Sequence, residues 1–166
     1  MRIREATPDD VNGIHRMIVE LAEYEREPDA VVATVDDLHA RLFAPDPHVF
    51  AHVAEDESGA VVGMAIWFLN FSTWLGRHGI YLEDLYVREH ARGQGVGEAL
   101  LRQLASMCVE RGYGRLEWWV LDWNAPAIDF YRAKGAIAMD EWTVYRLTGA
   151  ALTEFADPSS RGQVPS

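Results

Sequence analysis

The sequence predicts a mixed α/β (α+β) domain on three features. Runs of helical spacing alternate with short apolar runs of strand character. Three of those strand runs follow one another across turn signals, as an antiparallel meander does, and a glycine-rich turn joins the third to a long helical run. The chain has 166 residues, 49% of them hydrophobic. A single domain of that size buries about two thirds of the surface its unfolded chain exposes.

RIREA reads as the first strand. In TPDDVNGIHRMIVELAEYE, Thr7 can cap, Pro8 suits the first helical position and Asp10 favours the positive end, so a helix follows. Its apolar stripe is Val11, Ile14, Ile18 and Leu21. Thr34, with Asp37 three residues on, opens a second helix that reaches Leu42, and Pro45 and Pro47 stop it. PHVFAHVAE and AVVGMAIWFLNF are strands around the turn DESG, and IYLEDLYV is the third of the meander. The helix EALLRQLASMCVERG closes at Gly112, RLEWWVL is a strand, a short helix from Asn124 to Lys134 stops at Gly135, and WTVYRL is the last strand. Residues 2–156 form one domain. DPSSRGQVPS, residues 157–166, has no apolar pattern and is expected to be a disordered tail.

A net charge of -11 argues against a nucleic-acid partner, which needs a positive surface, and favours cationic small molecules. No run approaches the roughly 20 apolar residues of a membrane span, and MRIREATPDD has no signal core, so a cytoplasmic location is expected. Cys108, the one cysteine, lies in a helical run as a buried thiol. His48 and His52 are four apart in a strand, about 13 Å, too far to share an ion, so no metal is expected.

In HARGQGVGEALL, glycines 93, 95 and 97 fall in the order G-x-G-x-G. A dinucleotide fingerprint fails because Glu98 stands where the third glycine would, and no Gly-Lys-Ser/Thr triplet makes a P-loop. A strand, then Arg-x-x-Gly-x-Gly, then a helix still aims free N–H groups and a helix N-terminus at one point, where a pyrophosphate fits. Arg92 adds a positive charge.

R-G-Q-G-V-G after YLEDLYV resembles the acyl-CoA motif of the GNAT N-acetyltransferases. RIREATPDD, LAEYE, WLG and DWNAPAIDFYRAKGA extend the similarity over most of residues 2–147, nearest to the diamine (spermidine/spermine and thialysine) acetyltransferase group. The resemblance implies a mostly antiparallel sheet of six to seven strands, splayed between strands four and five, with about four helices. It implies acetyl-CoA as co-substrate, direct transfer, and a homodimer joined through the late strands around Trp142 to Leu147. Backbone of Leu85, Tyr86 and Val87 would bind the pantetheine arm, and Arg92, Gly93, Gln94, Gly95, Val96 and Gly97 the diphosphate. Asn124 and Pro126 would lie near the arm.

The chemistry gives its own reasons for particular side chains. An amine of pKa near 10.4 is protonated at neutral pH, and freeing it costs about 4.6 kcal/mol, so a base or relay is needed. Alternation in IYLEDLYV puts Tyr81, Glu83, Leu85 and Val87 on one face and Leu82, Asp84 and Tyr86 on the other. The resembled family uses Glu83 as general base through water; Asp84 would bind the amine or tune the site. A departing thiolate, with an acid near 8.5, is served by a phenol. Tyr131 is the family's candidate, although its spacing from Ile128 also suits a core residue. Glu25 continues the stripe of the first helix with a carboxylate, which invites a cation. Tyr24, Glu25 and Trp74 match substrate-contacting positions of the diamine group, whose members often carry an acid where this chain has Ser72. The enzyme-class rival is protein or peptide N-acetylation, and the other class is a domain that senses acyl-CoA or an amine without turnover.

Overall fold

Five strands form one sheet in sequence order: β1 (Arg2–Glu5), β2 (Phe50–Glu55), β3 (Val61–Ser72), β4 (Arg77–Val87) and β5 (Leu116–Glu117). The first four are antiparallel to their neighbours, and β5 joins β4 in parallel. The helices are α1 (Val11–Tyr24), α2 (Val35–Leu42), α3 (Val96–Glu110), α4 (Ala125–Ala133) and α5 (Gly149–Ala156). This computed structural model describes residues 1–158, and the expected tail lies outside them from Ser159 on. The chain divides into two compact units, Met1–Trp119 and a second that begins at Val120.

In the first unit the sheet is covered on both faces. Ile14 and Met17 of α1 and Leu42 of α2 pack on Ala51, Val53, Met64, Ile66 and Tyr86. Each such side chain, fully buried, contributes roughly 1.5–3 kcal/mol. On the other face α3 comes so close to β3 that any side chain at position 63 would press on it and on the Tyr86 carbonyl. A Cβ there would stand 3.0 Å from Val96 Cγ1 and 3.3 Å from Leu100 Cδ1. Cys108 is buried in the same helix, its Sγ donating to the Arg115 carbonyl at 3.5 Å; burial pushes the thiol pKa up, away from nucleophilic use.

The helix starts follow their signals. Asp10 accepts from Thr7 N and Oγ1 at 2.7 and 2.8 Å, and Arg4 grips the same carboxylate at 2.7 and 2.9 Å, which ties β1 to the entry of α1. The Arg4 guanidinium, aided by Thr7, holds the Asp10 pKa down at about 2. Thr34 and Asp37 form the reciprocal capping box of α2.

In the second unit, Asn124 caps α4 by accepting from Ala127 N at 3.4 Å, and Gly135, at φ +86°, closes it. Here the expected six to seven strands and four helices give way to five and five among the described residues. Residues 118–121 and 142–147 have strand composition but no ladder. An extended run becomes a strand only where another backbone meets its N–H and C=O groups. The unforeseen helix is α5. Its Leu152 and Phe155 are three apart within an alanine-containing run, a helical spacing the final strand and tail assignments left unread.

Among the described residues no helix is long and apolar enough to cross a membrane, and no three His, Cys, Asp or Glu side chains are grouped to hold a metal.

Candidate active site

β4 is where the sheet opens. Its ladder with β5 covers only Ile80↔Leu116 and Tyr81↔Glu117, so from Leu82 to Val87 its outer edge has no strand beside it. Among the described residues, that short ladder is what stands at the expected splay between strands four and five. Arg88 N donates to the Val62 carbonyl at 2.9 Å, which fixes the alternation. Tyr86 therefore turns its backbone to β3, while Leu85 and Val87 turn theirs to the open edge. Of the three positions expected to bind the pantetheine arm, these two turn backbone groups to that edge, though Val87's carbonyl already accepts from Arg92 Nε at 2.9 Å.

A β-bulge interrupts β4 at Glu83. Asp84 pairs with Ile66 and Leu82 with Trp67, which leaves Glu83 without a partner. The simple alternation read from IYLEDLYV is thereby corrected. Leu82 and Leu85 share the α3 face, whereas Asp84 pairs with Ile66, a member of the α1-side core, and Glu83 stands beside it as the extra residue. The two carboxylates thus turn to the same side of the sheet.

Glu25, the C-cap of α1, reaches that side too. Burial raises the Asp84 pKa to about 6, and the charges of Glu83 and Glu25 push in the same direction. Glu25 is itself raised by burial. Two partly buried carboxylates that burial makes costly to ionise, with the exposed Glu83 beside them, form a place for a cation. Next to it runs an aromatic row that sequence reasoning missed. Phe68 stacks on Tyr81 at 4.9 Å, and Trp119 meets Tyr81 edge-on at 5.8 Å. The pairing Phe68↔Tyr81 could be found only once the register of β3 on β4 was known.

The glycine turn leads into α3. Gly93 and Gly95 have φ of +74° and +79°, and no atom lies within 4 Å of a Cβ built on either. Gly95 is the N-cap, so the first N–H groups of α3 point into this space. Gly97 is different: its φ is ordinary and a Cβ would touch only Val87 Cγ2, at 3.6 Å. Val96 buries its side chain, and Gln94 donates its amide to the His90 carbonyl at 3.0 Å. Arg92 lies over the rings of Tyr24 and Tyr86, at 5.2 and 5.6 Å, which brings Tyr24 to the positive side of the turn. A bare, left-handed turn at a helix N-terminus with a fixed cation beside it fits the diphosphate of an acyl-CoA. Gly95→Val is expected to abolish acetyl-CoA binding, measured by calorimetry, while circular dichroism still reports a folded chain. Binding like that of the parent would remove the turn from the donor site.

Other expected residues lie elsewhere. Trp74 is 89% exposed at the tip of the β3–β4 hairpin, beyond Arg77, where β4 begins six residues and about 20 Å from Glu83, so one chain does not bring the two together. Ser72 has a local task, its Oγ accepting from Leu75 N at 3.2 Å within that turn. In the second unit Pro126 occupies the first turn of α4, and Tyr131 lies on the same helix with its ring 5.3 Å from that of Phe130.

The chain belongs to the acetyltransferase (GNAT) family, whose model matches residues 14–136. Among its relatives is the thialysine N-epsilon-acetyltransferase of Bos taurus, 39% identical, with 93% of this chain and 96% of that protein covered. The L-ornithine N5-acetyltransferase NATA1 of Arabidopsis thaliana is 34% identical, over 91% and 86%. Among solved structures, an integron cassette protein from the mobile metagenome of V. cholerae superposes with a TM-score of 0.78 at 26% identity, over 93% and 96%. The chain is therefore a GNAT acetyltransferase, an enzyme of a family that uses an acyl-CoA donor, related to thialysine and ornithine N-acetyltransferases.

Proposed function

We propose that this enzyme moves an acetyl group from acetyl-CoA to a primary amine of a small cationic substrate, a polyamine, a diamine or a thialysine-like amino acid. The observation that carries the reading is the acidic cluster of Glu25, Glu83 and Asp84 beside the open edge of β4. The names of both relatives describe acetylation at a nitrogen along an amino acid's side chain, which supports the same substrate class. When bound, acetyl-CoA supplies an activated acyl group.

Asp84 and Glu25 hold the substrate's charge, and the ring of Tyr81 lies on the approach to them. Glu83, lifted out of the ladder by the bulge, takes the ammonium proton through water, so that the free amine attacks. Tyr131 delivers a proton to the departing thiolate. Asn124 and Pro126 contribute the start of α4 to the donor's arm. Ser72, engaged in its turn, offers no carboxylate at the hairpin, which favours short diamines and diamino acids over long polyamines.

The deciding experiment is acetyl-CoA turnover, read as free thiol released, against polyamines, lysine and ornithine analogues and basic peptides. Turnover confined to peptides, or none with any amine, sinks the reading. Residues 2–156 act as one catalytic domain in this proposal, since the family match runs across the division at Trp119. The working form is a homodimer joined through Trp142 to Leu147, a run with exposed Trp142, Val144 and Tyr145. Sedimentation at micromolar concentration should give twice the chain mass; a monomer would refute the dimer.

A further inference from the structure

At the end of α3 remote from the glycine turn, a cleft of about 310 Å³ is lined by Glu5, Phe43, Phe50, His52, Trp67 and Arg111 among others. The 15 residues of α3 separate it from Gly95 by roughly 22 Å, and its His52 and Trp67 lie on the α3 face of the sheet, opposite Asp84, so it is distinct from the donor and amine sites. Its volume is at the low end of the roughly 300–1,000 Å³ typical of small-molecule pockets.

His52 is only 3% exposed. Trp67 Nε1 donates to its Nδ1 at 3.1 Å, so the ring hydrogen is on Nε2. No acceptor among the described residues meets that N–H, and the ring forms part of the cleft wall, where a ligand oxygen can reach it. Burial keeps the imidazole pKa below its ordinary value, with Glu5 opposing and Arg111 reinforcing the shift. Glu5 and Arg111 thus both act on the ring from opposite signs. Neither side chain forms an ion pair among the described residues, with the other or with a third group. Phe50 stacks on Trp67 with centroids 4.6 Å apart and gives the cleft an aromatic wall.

We infer that this cleft is a second small-molecule site, for a free α-amino acid with an apolar side chain. Its carboxylate would take the His52 Nε2–H and the Arg111 guanidinium, its ammonium would face Glu5, and its side chain would lie against Phe50, Phe43 and Trp67. A zwitterion suits this set because it satisfies the donor, the cation and the anion together. An isolated carboxylate would leave Glu5 facing like charge.

The test uses L-phenylalanine as probe and the full chain without acetyl-CoA, reading the ring nitrogens of His52 and the indole N–H of Trp67 by NMR. The expected result is a saturable shift of both, with a dissociation constant of about 1 mM or lower. Arg111→Gln and Glu5→Gln, both at exposed positions, should each weaken it by roughly tenfold or more. For 3-phenylpropionate, which has no ammonium, Glu5→Gln should cause no loss. Absence of a saturable shift, a shift unchanged in Arg111→Gln, or equal binding of the two probes regardless of Glu5 would each overturn the site. Because the readout involves no turnover, it stands or falls apart from the acetyl-transfer proposal.

Discussion

Asp84→Asn is expected to make the protein more stable and the enzyme worse. In the folded chain the Asp84 carboxyl titrates at about 6 instead of 3.8, because burial and the neighbouring carboxylates disfavour its charged form. A raised acid pKa means that the unfolded chain ionises the group more easily. Stability is therefore lost as pH climbs from about 4 through 6. The amide cannot ionise and escapes that loss. With the discount due to a group still in partial contact with water, the gain at about pH 8 is on the order of 2 kcal/mol. For a chain of this size that is roughly 4–8 °C in Tm, and it should shrink to nothing towards pH 4. Turnover should move the other way, KM for a diamine rising by roughly tenfold or more as a charge-assisted contact is lost. Amine binding to the parent should also release protons near pH 6, because a bound cation pulls the Asp84 pKa down. A variant no more stable than the parent at pH 8, or one with unchanged KM, would show that Asp84 neither strains the fold nor holds the substrate.

Tyr131→Phe is expected to lower kcat by roughly 100-fold or more, the lower range for a positioned proton donor, with acetyl-CoA affinity unchanged. Glu83→Gln should differ in its pH dependence. Without the base its rate falls most near neutrality and recovers as pH approaches the amine's own pKa, about 10.4, where free amine forms unaided. Tyr131→Phe has no such recovery, since a thiolate leaves no more easily from a site that lacks its donor. A Phe variant as active as the parent removes the acid role, and a Gln variant slowed equally at every pH removes the base.

The helix starts were legible in the sequence because caps are local chemistry. Thr34 and Asp37 specify the first turn of α2 within four residues, and the structure carries both hydrogen bonds. The glycine turn was legible too, since left-handed φ at positions 93 and 95 is a demand that the residue type itself records. The faces of β4 were not. Alternation assumes an unbroken ladder, and nothing in IYLEDLYV marks the place where β3 skips a residue. The sides taken by Glu83 and Asp84 follow from that skip. The aromatic row of Phe68, Tyr81 and Trp119 depends on the same cross-strand register, and the late strands depend on a partner that the described residues do not supply. Local demands can be read from one segment; pairings need two.

The bulge at Glu83 has a counterpart in the length of β4. The strand has 11 residues, and its hydrogen-bonded frame would close in regular register with one fewer. If Glu83 were deleted, Leu82 and Asp84 would become neighbours with their present faces unchanged, and the core on either side would keep its contacts. The sheet has no use for the eleventh residue. The extra residue separates two properties usually entangled in a strand: the number of residues sets which side Glu83 takes, and the residue types set what packs there.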